Sequence, residues 1–261
     1  MRTWGWLLMI AAMLPAADAW RKELEEWRQG RETRLRSETG WLSLSGMFWL
    51  REGANTIPKT PVQSFELRNG RITATVNGAK RELRPDSSDA IEAGGVRVTA
   101  IKRGDRYGIR LWDPNSALRR GFKGVRWFPA DASYRVDGRF VAQPRKLPVL
   151  NVLGQTEQME SPGYVEFTLA GRALRLVPVL ESPDAKQLFF IFRDLTSGKE
   201  TYGAGRFLYS ELPRNGSVVL DFNRAYNPPC AFNPYTTCPL PPKENRLPVR
   251  IPAGELAYMQ D

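Results

Sequence analysis

The chain has 261 residues, with 38 basic and 28 acidic side chains, a formal net charge of +10 and no histidine. Without histidine, this chain has no Ser-His-Asp or Cys-His catalytic pair, no HExxH zinc site and no histidine-ligated metal or haem. Proton transfer would depend on Asp, Glu, Lys, Tyr or Cys, each with a pKa tuned by its surroundings. We expect neither a cofactor nor a metal.

The first 19 residues have the pattern of a secretory signal peptide. Arg2 precedes an apolar core from Trp4 to Leu14, and Ala17 and Ala19 form an A-x-A cleavage site. The apolar run has about a dozen residues, fewer than the ~20 that a transmembrane helix needs. We expect a mature chain that begins at Trp20, does not span a membrane, and is periplasmic or secreted.

The strong positive charge favours anionic neighbours such as envelope polyanions or nucleic acid. The basic residues are spread along the chain rather than clustered, which favours a solvated basic surface over a specific nucleic-acid site. The mature length suits one sizeable core, because all-β domains of this length are common. We therefore predict a single β-rich domain over residues 20–261.

Residues 20–36 are predicted to form an amphipathic helix. Trp20, Leu24 and Trp27 recur at i, i+4 and i+7, Leu35 lies two turns further on, and charged residues occupy the other positions. The polar face carries both signs of charge, which favours a helix packed over the end of the domain rather than one lying on a membrane.

From Gly40 onward the apolar period changes from 3.6 to 2. Asn69-Gly70 and Asn77-Gly78 each separate two short apolar runs and predict type I′ hairpins. Further turns are expected at Gly104-Asp105, Asp137-Gly138 and Ala170-Gly171, and further strands at Leu188–Arg193, Ser217–Phe222, Pro248–Ile251 and Glu255–Tyr258.

These short strands repeat without any internal period of 20 to 50 residues, which argues against a propeller or solenoid. The pattern is typical of an all-β, mainly antiparallel barrel or sandwich with one N-terminal amphipathic helix.

Cys230 and Cys238 are the only cysteines and lie in a proline-rich stretch between Leu220 and Asn245. Two cysteines in an exported chain predict a disulfide, which would close a short loop and stabilise the fold by roughly 2.5 kcal/mol. A pair of reactive thiols and a two-thiolate metal clip are the alternatives, although the spacing is not CxxC.

Two groups of polar residues are candidates for a site. Arg193, Asp194, Tyr202 and Arg206 surround a glycine-rich turn, where Arg206 would either clamp an anion or pair with Asp194. Among the prolines, the side chains of Asn223, Tyr226, Asn227 and Asn245 would either bind a ligand or satisfy backbone groups that the prolines leave unpaired.

Three stretches carry a family resemblance: GWLSLSGMFWLREGAN, RDLTSGKETYGAGRFL and DFNRAYNPPCAFNPYTTCPLPPKENRLP. They resemble a bacterial and archaeal family known as domain-of-unknown-function family 1684, over about Trp20 to Glu255. The resemblance implies one family-defining domain and no established substrate. It also implies that the candidate site contains the shared positions Arg193, Asp194, Tyr202, Arg206, Asn223, Tyr226, Cys230, Cys238 and Asn245.

We therefore expect a periplasmic protein that binds a small polar or anionic ligand in a pocket closed by the proline-rich, disulfide-bonded loop. One alternative is a histidine-free enzyme in the same pocket, with Asp194 or Asp221 as general base and Tyr226 or Arg206 stabilising negative charge. Another is an envelope protein that binds polyanions through its basic surface.

Overall fold

The computed structural model describes residues 7–258, with side chains from residue 18 onward. A long helix, α1 (Leu7–Arg36), leads into two β-rich halves. Its apolar stripe is buried as predicted, with Leu24 and Leu35 almost fully enclosed. The predicted signal peptide, residues 1–19, lies largely outside the described side chains and stays a prediction. No helix among residues 7–258 is long and apolar enough to cross a membrane.

The N-terminal half is a sandwich of two four-stranded antiparallel sheets, with orders β1-β8-β7-β6 and β2-β3-β4-β5. Both sheets contribute to one core, in which Phe65 and Ile72 from one sheet meet Val98 and Ile109 from the other. The strands are β1 (Leu44–Trp49), β2 (Gly53–Asn55), β3 (Ser64–Arg68), β4 (Arg71–Val76), β5 (Ala79–Leu83), β6 (Ile91–Ala93), β7 (Val96–Arg103) and β8 (Arg106–Trp112).

The C-terminal half begins with a short helix and contains two further antiparallel sheets, with orders β11-β10-β9-β14 and β12-β13. Single bridges link them, since Leu180 pairs with Glu160 and Val179 pairs with Phe189. The elements are α2 (Ala117–Arg120), β9 (Arg135–Leu150), β10 (Thr156–Leu169), β11 (Arg172–Leu176), β12 (Gln187–Phe192), β13 (Arg206–Glu211) and β14 (Ser217–Asp221).

The fold-class prediction is confirmed as an antiparallel, sandwich-like arrangement, because these sheets do not close into a barrel. Strands β12 and β13 are buried on both faces, which explains the continuous apolar run LFFIF in β12. Phe190 and Phe192 join one core, and Phe189 and Ile191 join a second one on the opposite face. The assignment of residues 20–261 to a single domain stays a prediction.

Asn69, Gly70, Asn77 and Gly78 all have positive φ, so the two predicted Asn-Gly hairpins are confirmed. The predicted turn at Asp137-Gly138 is wrong, because β9 continues through it.

Gly138 lies within β9, where it has a packing role instead of forming a turn. It lies between β10 and β14, and a Cβ there would be 2.4 Å from Val165 Cγ1. This glycine therefore permits a close approach of strands rather than a change of direction.

The two predicted C-terminal strands, Pro248–Ile251 and Glu255–Tyr258, are also wrong, since neither is a strand in the structure. Proline lacks the N–H group that a sheet ladder needs. The backbone of this tail instead bonds to buried side chains: Ile251 N donates to Asp194 Oδ2 at 2.7 Å, and Arg206 donates to the carbonyls of Ile251 and Ala253.

Candidate functional site

A cleft of about 580 Å³ lies between the two halves, within the size range of small-molecule sites. Its lining comes from α1, both halves and the proline-rich loop. The lining residues are Arg31, Trp41, Asp86, Arg103, Arg110, Val149, Asn151, Glu157, Met159, Glu181, Phe189, Phe207, Tyr209, Tyr226, Pro229, Thr236, Thr237, Cys238 and Pro239.

One wall of the cleft, which we call the aromatic wall, consists of Phe189, Phe207, Tyr209 and Tyr226. Strands β12 and β13 place the first three, and a backbone bridge to Phe207 places Tyr226. Phe189, Tyr209 and Tyr226 stack nearly parallel, with successive ring centroids 4.8 Å and 6.2 Å apart. Phe207 meets Phe189 and Tyr226 edge to face. The cleft thus has a preformed apolar surface.

Arg110 contributes a positive charge to the cleft lining from the N-terminal half. In β8, Ile109 and Leu111 face the N-terminal core, so strand alternation turns Arg110 to the other face. The C-terminal half covers that face, and Arg110 is only 7% exposed. Its guanidinium lies 5.3 Å from the Trp41 ring centroid.

Arg110 is poorly compensated. Its Nη2 makes one long hydrogen bond, 3.4 Å, to Thr237 Oγ1, and its buried Nε has no hydrogen-bond partner. No carboxylate among residues 18–258 forms an ion pair with it. Burial, together with the nearby Arg103 cation, lowers the pKa of Arg110 from 12.5 to about 10, and the charge of Asp86 opposes this shift only in part. A buried cation in this state favours the approach of an anion.

Arg103 lies beside Arg110 but is already paired. It donates to Asp86 Oδ1 at 2.9 Å and to Thr237 Oγ1 at 3.0 Å. Thr237 therefore receives hydrogen bonds from both arginines, which ties the proline-rich loop to the N-terminal half.

Arg31 of α1 is also neutralised. Its Nε donates to Glu255 Oε1 at 2.9 Å, and its Nη2 donates to the Asn227 carbonyl at 2.9 Å. The guanidinium stacks over the Tyr226 ring at 4.6 Å, which holds that ring in the aromatic wall. Burial raises the pKa of Glu255, and the Arg31 charge opposes this effect. Arg31 thus positions Tyr226 without adding a free charge.

The proline-rich loop forms one end of the cleft, and Cys230 and Cys238 are joined in a disulfide, as predicted. Asn233, inside the disulfide loop, donates to the carbonyls of Trp41 and Leu44 at 2.8 Å and 2.6 Å. The loop is therefore fastened to the N-terminal half as well as to its own strands.

Of the residues singled out from the sequence, Tyr226 and Cys238 line the cleft. Asp194 and Arg206 instead face each other, with Nη2 3.3 Å from Oδ2 and both side chains fully buried. Asp194 also accepts a hydrogen bond of 2.6 Å from Thr196 Oγ1. This pair fastens the C-terminal tail described above.

The three asparagines singled out bond to backbone groups, and the Asn227 side chain donates to the Leu256 carbonyl at 2.8 Å. Asn245 exchanges hydrogen bonds with Val177 N and O and donates to the Ile191 carbonyl, all at 2.8–2.9 Å. Asn223 bonds to both backbone groups of Asp131. These side chains therefore hydrogen-bond to backbone N–H and C=O groups. This is the structural alternative to ligand binding that the sequence left open.

The remaining candidates lie outside the cleft lining. The Tyr202 hydroxyl donates to the Cys230 carbonyl at 3.3 Å and so supports the disulfide loop. Arg193 pairs through its backbone with Asn245 and Leu247. Asp221 accepts a hydrogen bond of 2.8 Å from Trp20 Nε1, which fastens α1 to β14.

Sequence reasoning missed the arginines of the cleft, although one signal was present. Arg31 continues the apolar stripe of α1, four residues after Trp27 and four before Leu35. A cation at such a position points to a buried partner. For Arg110, the alternation of side chains in β8 shows that it lies on the face opposite Ile109 and Leu111. The sequence does not show that the C-terminal half covers this face.

Comparison with protein families matches residues 120–256, just over half of the chain, to a family described as "Protein of unknown function (DUF1684)". The solution NMR structure of an uncharacterized protein from gene locus rrnAC0354 of Haloarcula marismortui is 32% identical, with a TM-score of 0.45. The match covers 53% of this chain and 78% of that one. No curated protein matches. The aromatic wall and the disulfide loop lie inside the family match, whereas Arg103 and Arg110 precede it.

Proposed function

This chain belongs to the DUF1684 family of proteins of unknown function, and we propose that it is an exported binding protein for a small anionic ligand. The ligand would occupy the cleft between the two halves, with its negative charge at Arg110. The signal-peptide pattern of residues 1–19 supports the exported location. The disulfide is compatible with an oxidising compartment.

The observation that carries this proposal is the incomplete pairing of Arg110. Buried charges in proteins are normally paired and hydrogen-bonded, because an isolated buried ion is costly. Arg103 and Arg31 follow this rule through Asp86 and Glu255, whereas Arg110 has no ion pair with a carboxylate among residues 18–258 and makes one hydrogen bond of 3.4 Å. An anion in the cleft would compensate the charge of the Arg110 guanidinium and form a charge-assisted hydrogen bond with it.

Binding is supported more directly than catalysis. Asp194 and Asp221, the candidate general bases, lie away from the cleft lining and bond to the tail and to α1. The carboxylates that do line the cleft are Asp86, Glu157 and Glu181. Asp86 is held by Arg103, and Glu181 accepts a hydrogen bond of 2.6 Å from the Tyr209 hydroxyl.

Thermal unfolding with sodium acetate, phosphate and benzoate tests the proposal. An anion at ten times its Kd stabilises the folded state by about 1.4 kcal/mol, which raises Tm by about 3–5 °C in a chain of this size. Arg110→Met should abolish this rise. Arg68→Met, which removes one charge from an exposed pair with Glu66 outside the cleft, should leave it unchanged. An equal rise in the wild type and in Arg110→Met would overturn the proposal.

A further inference from the structure

The lining of the cleft also indicates which kind of anion it suits, an inference that rests on the proposed function. We propose that the ligand is an aromatic monocarboxylate, with its carboxylate on Arg110 and its ring against the aromatic wall. The contacts on the two sides of the cleft determine the charge and the shape of this ligand separately.

The single negative charge of the ligand is inferred from the arginines of the cleft that already have carboxylate partners. Three arginines line the cleft, and two of them are already bonded to carboxylates: Arg31 to Glu255 and Arg103 to Asp86. Arg110 alone among these three lacks such a partner. Glu157 and Glu181 add negative charge to the lining, which disfavours a ligand with two negative charges.

The chemical identity of the ligand's charged group is inferred from the guanidinium of Arg110. Its Nε–H is unpaired, and its Nη2 makes only a long contact with Thr237. A guanidinium presents its N–H groups in planar forks that a carboxylate accepts in a bidentate manner, which suits a carboxylate at Arg110.

The aromatic ring of the ligand is inferred from the side chains of the aromatic wall and its surroundings. Four aromatic side chains and the thioether of Met159 line the cleft there. Aromatic rings pack favourably in offset-stacked or edge-to-face arrangements, and thioethers contact ring edges. Phe189 and Phe207 are buried beneath the partly exposed Tyr209 and Tyr226. The surface is therefore rigid before a ligand arrives, which reduces the entropic cost of binding.

The position of the wall is fixed independently of the arginine fork. Arg31 holds Tyr226 through the cation–π contact of 4.6 Å, and Glu181 holds the Tyr209 hydroxyl. The two tyrosine rings are 15° from parallel. A flat aromatic ring can make offset-stacked or edge-to-face contacts with this cluster, and a puckered saturated ring of the same size cannot.

Isothermal titration of the full mature chain with benzoate, cyclohexanecarboxylate and acetate tests the inference. All three carry one carboxylate, and the first two have the same number of carbon atoms. We expect benzoate to bind at least tenfold more tightly than acetate, because its ring buries apolar area. It should bind about three- to tenfold more tightly than cyclohexanecarboxylate, because only its ring is aromatic.

Two variants separate this inference from the proposed function. Tyr209→Leu keeps the wall apolar and should remove most of the preference for benzoate over cyclohexanecarboxylate while acetate binding is retained. Arg110→Met should weaken all three ligands. Circular dichroism checks that both variants fold.

The outcomes are distinguishable. If acetate, cyclohexanecarboxylate and benzoate bind equally, and all depend on Arg110, the aromatic inference is wrong and the proposed function stands. If benzoate is preferred but binds Arg110→Met as well as it binds the wild type, the proposed anion site is wrong. No binding of any of the three ligands would overturn the inference that the cleft takes an aromatic monocarboxylate.

Discussion

Replacing Arg110 by methionine should make the ligand-free protein more stable. Burial lowers the pKa of Arg110 from 12.5 to about 10, and each pKa unit corresponds to about 1.4 kcal/mol. Keeping this side chain charged in the folded state therefore costs about 3 kcal/mol at neutral pH. Because the pKa falls on folding, the cost is fully present at any pH below about 10.

Methionine has a similar length and removes that cost, but the substitution also loses two contacts. The long hydrogen bond to Thr237 contributes about 0.5–1 kcal/mol, and the cation–π contact with Trp41 contributes a similar amount. The net gain should be about 1–2 kcal/mol, or about 3–6 °C in Tm.

Differential scanning calorimetry of the ligand-free protein measures this gain. The matched control is Arg103→Met, which breaks the partly exposed pair with Asp86 and the hydrogen bond to Thr237 and should lower the free energy of unfolding by about 1–2 kcal/mol. A loss of stability in Arg110→Met equal to or larger than that in Arg103→Met would refute the reasoning, because it would show that Arg110 stabilises the fold rather than serving a ligand.

Three further predictions concern the residues that fasten the loop and tail. Asp194→Asn leaves the fully buried Arg206 without its carboxylate and should lower the free energy of unfolding by about 3–5 kcal/mol in urea titrations; a loss below about 1 kcal/mol would contradict a structural role. Asn245→Ala removes three hydrogen bonds to strand backbones and should cost about 2–4 kcal/mol, measured in the same way, whereas an unchanged midpoint would show that these bonds are replaced. Reduction of Cys230–Cys238 should lower stability by up to about 2.5 kcal/mol, and the double Cys→Ser variant should no longer respond to dithiothreitol.

Local signals in the sequence were sufficient for much of the fold. The Asn-Gly pairs predicted hairpins because that turn type requires positive φ at both positions, a property of the two residues themselves. The helix was found because Leu24 and Leu35 lie on one stripe. The prediction of a turn at Asp137-Gly138 was wrong because a glycine is also needed in a strand where a neighbouring side chain leaves no room for a Cβ. Here that neighbour is Val165, which is distant in sequence.

The site was predicted less well, for reasons that lie in tertiary structure. The proline-rich loop was correctly chosen as ordered and disulfide-bonded, and its Tyr226 and Cys238 line the cleft. The family signature around Asp194 and Arg206, however, surrounds a buried ion pair that holds the tail. Arg110 could not be found, because the half that buries it follows in the chain and its charge state depends on that burial.

The central claim is that the cleft holds an anion on Arg110. A crystal structure of the protein soaked in 4-bromobenzoate tests it most directly, because bromine gives an anomalous signal that locates the ring. We predict a carboxylate within hydrogen-bond distance of the Arg110 guanidinium and a bromine peak beside Tyr209 or Tyr226. A ligand bound only on the outer surface, with no carboxylate at the Arg110 guanidinium, would contradict the claim.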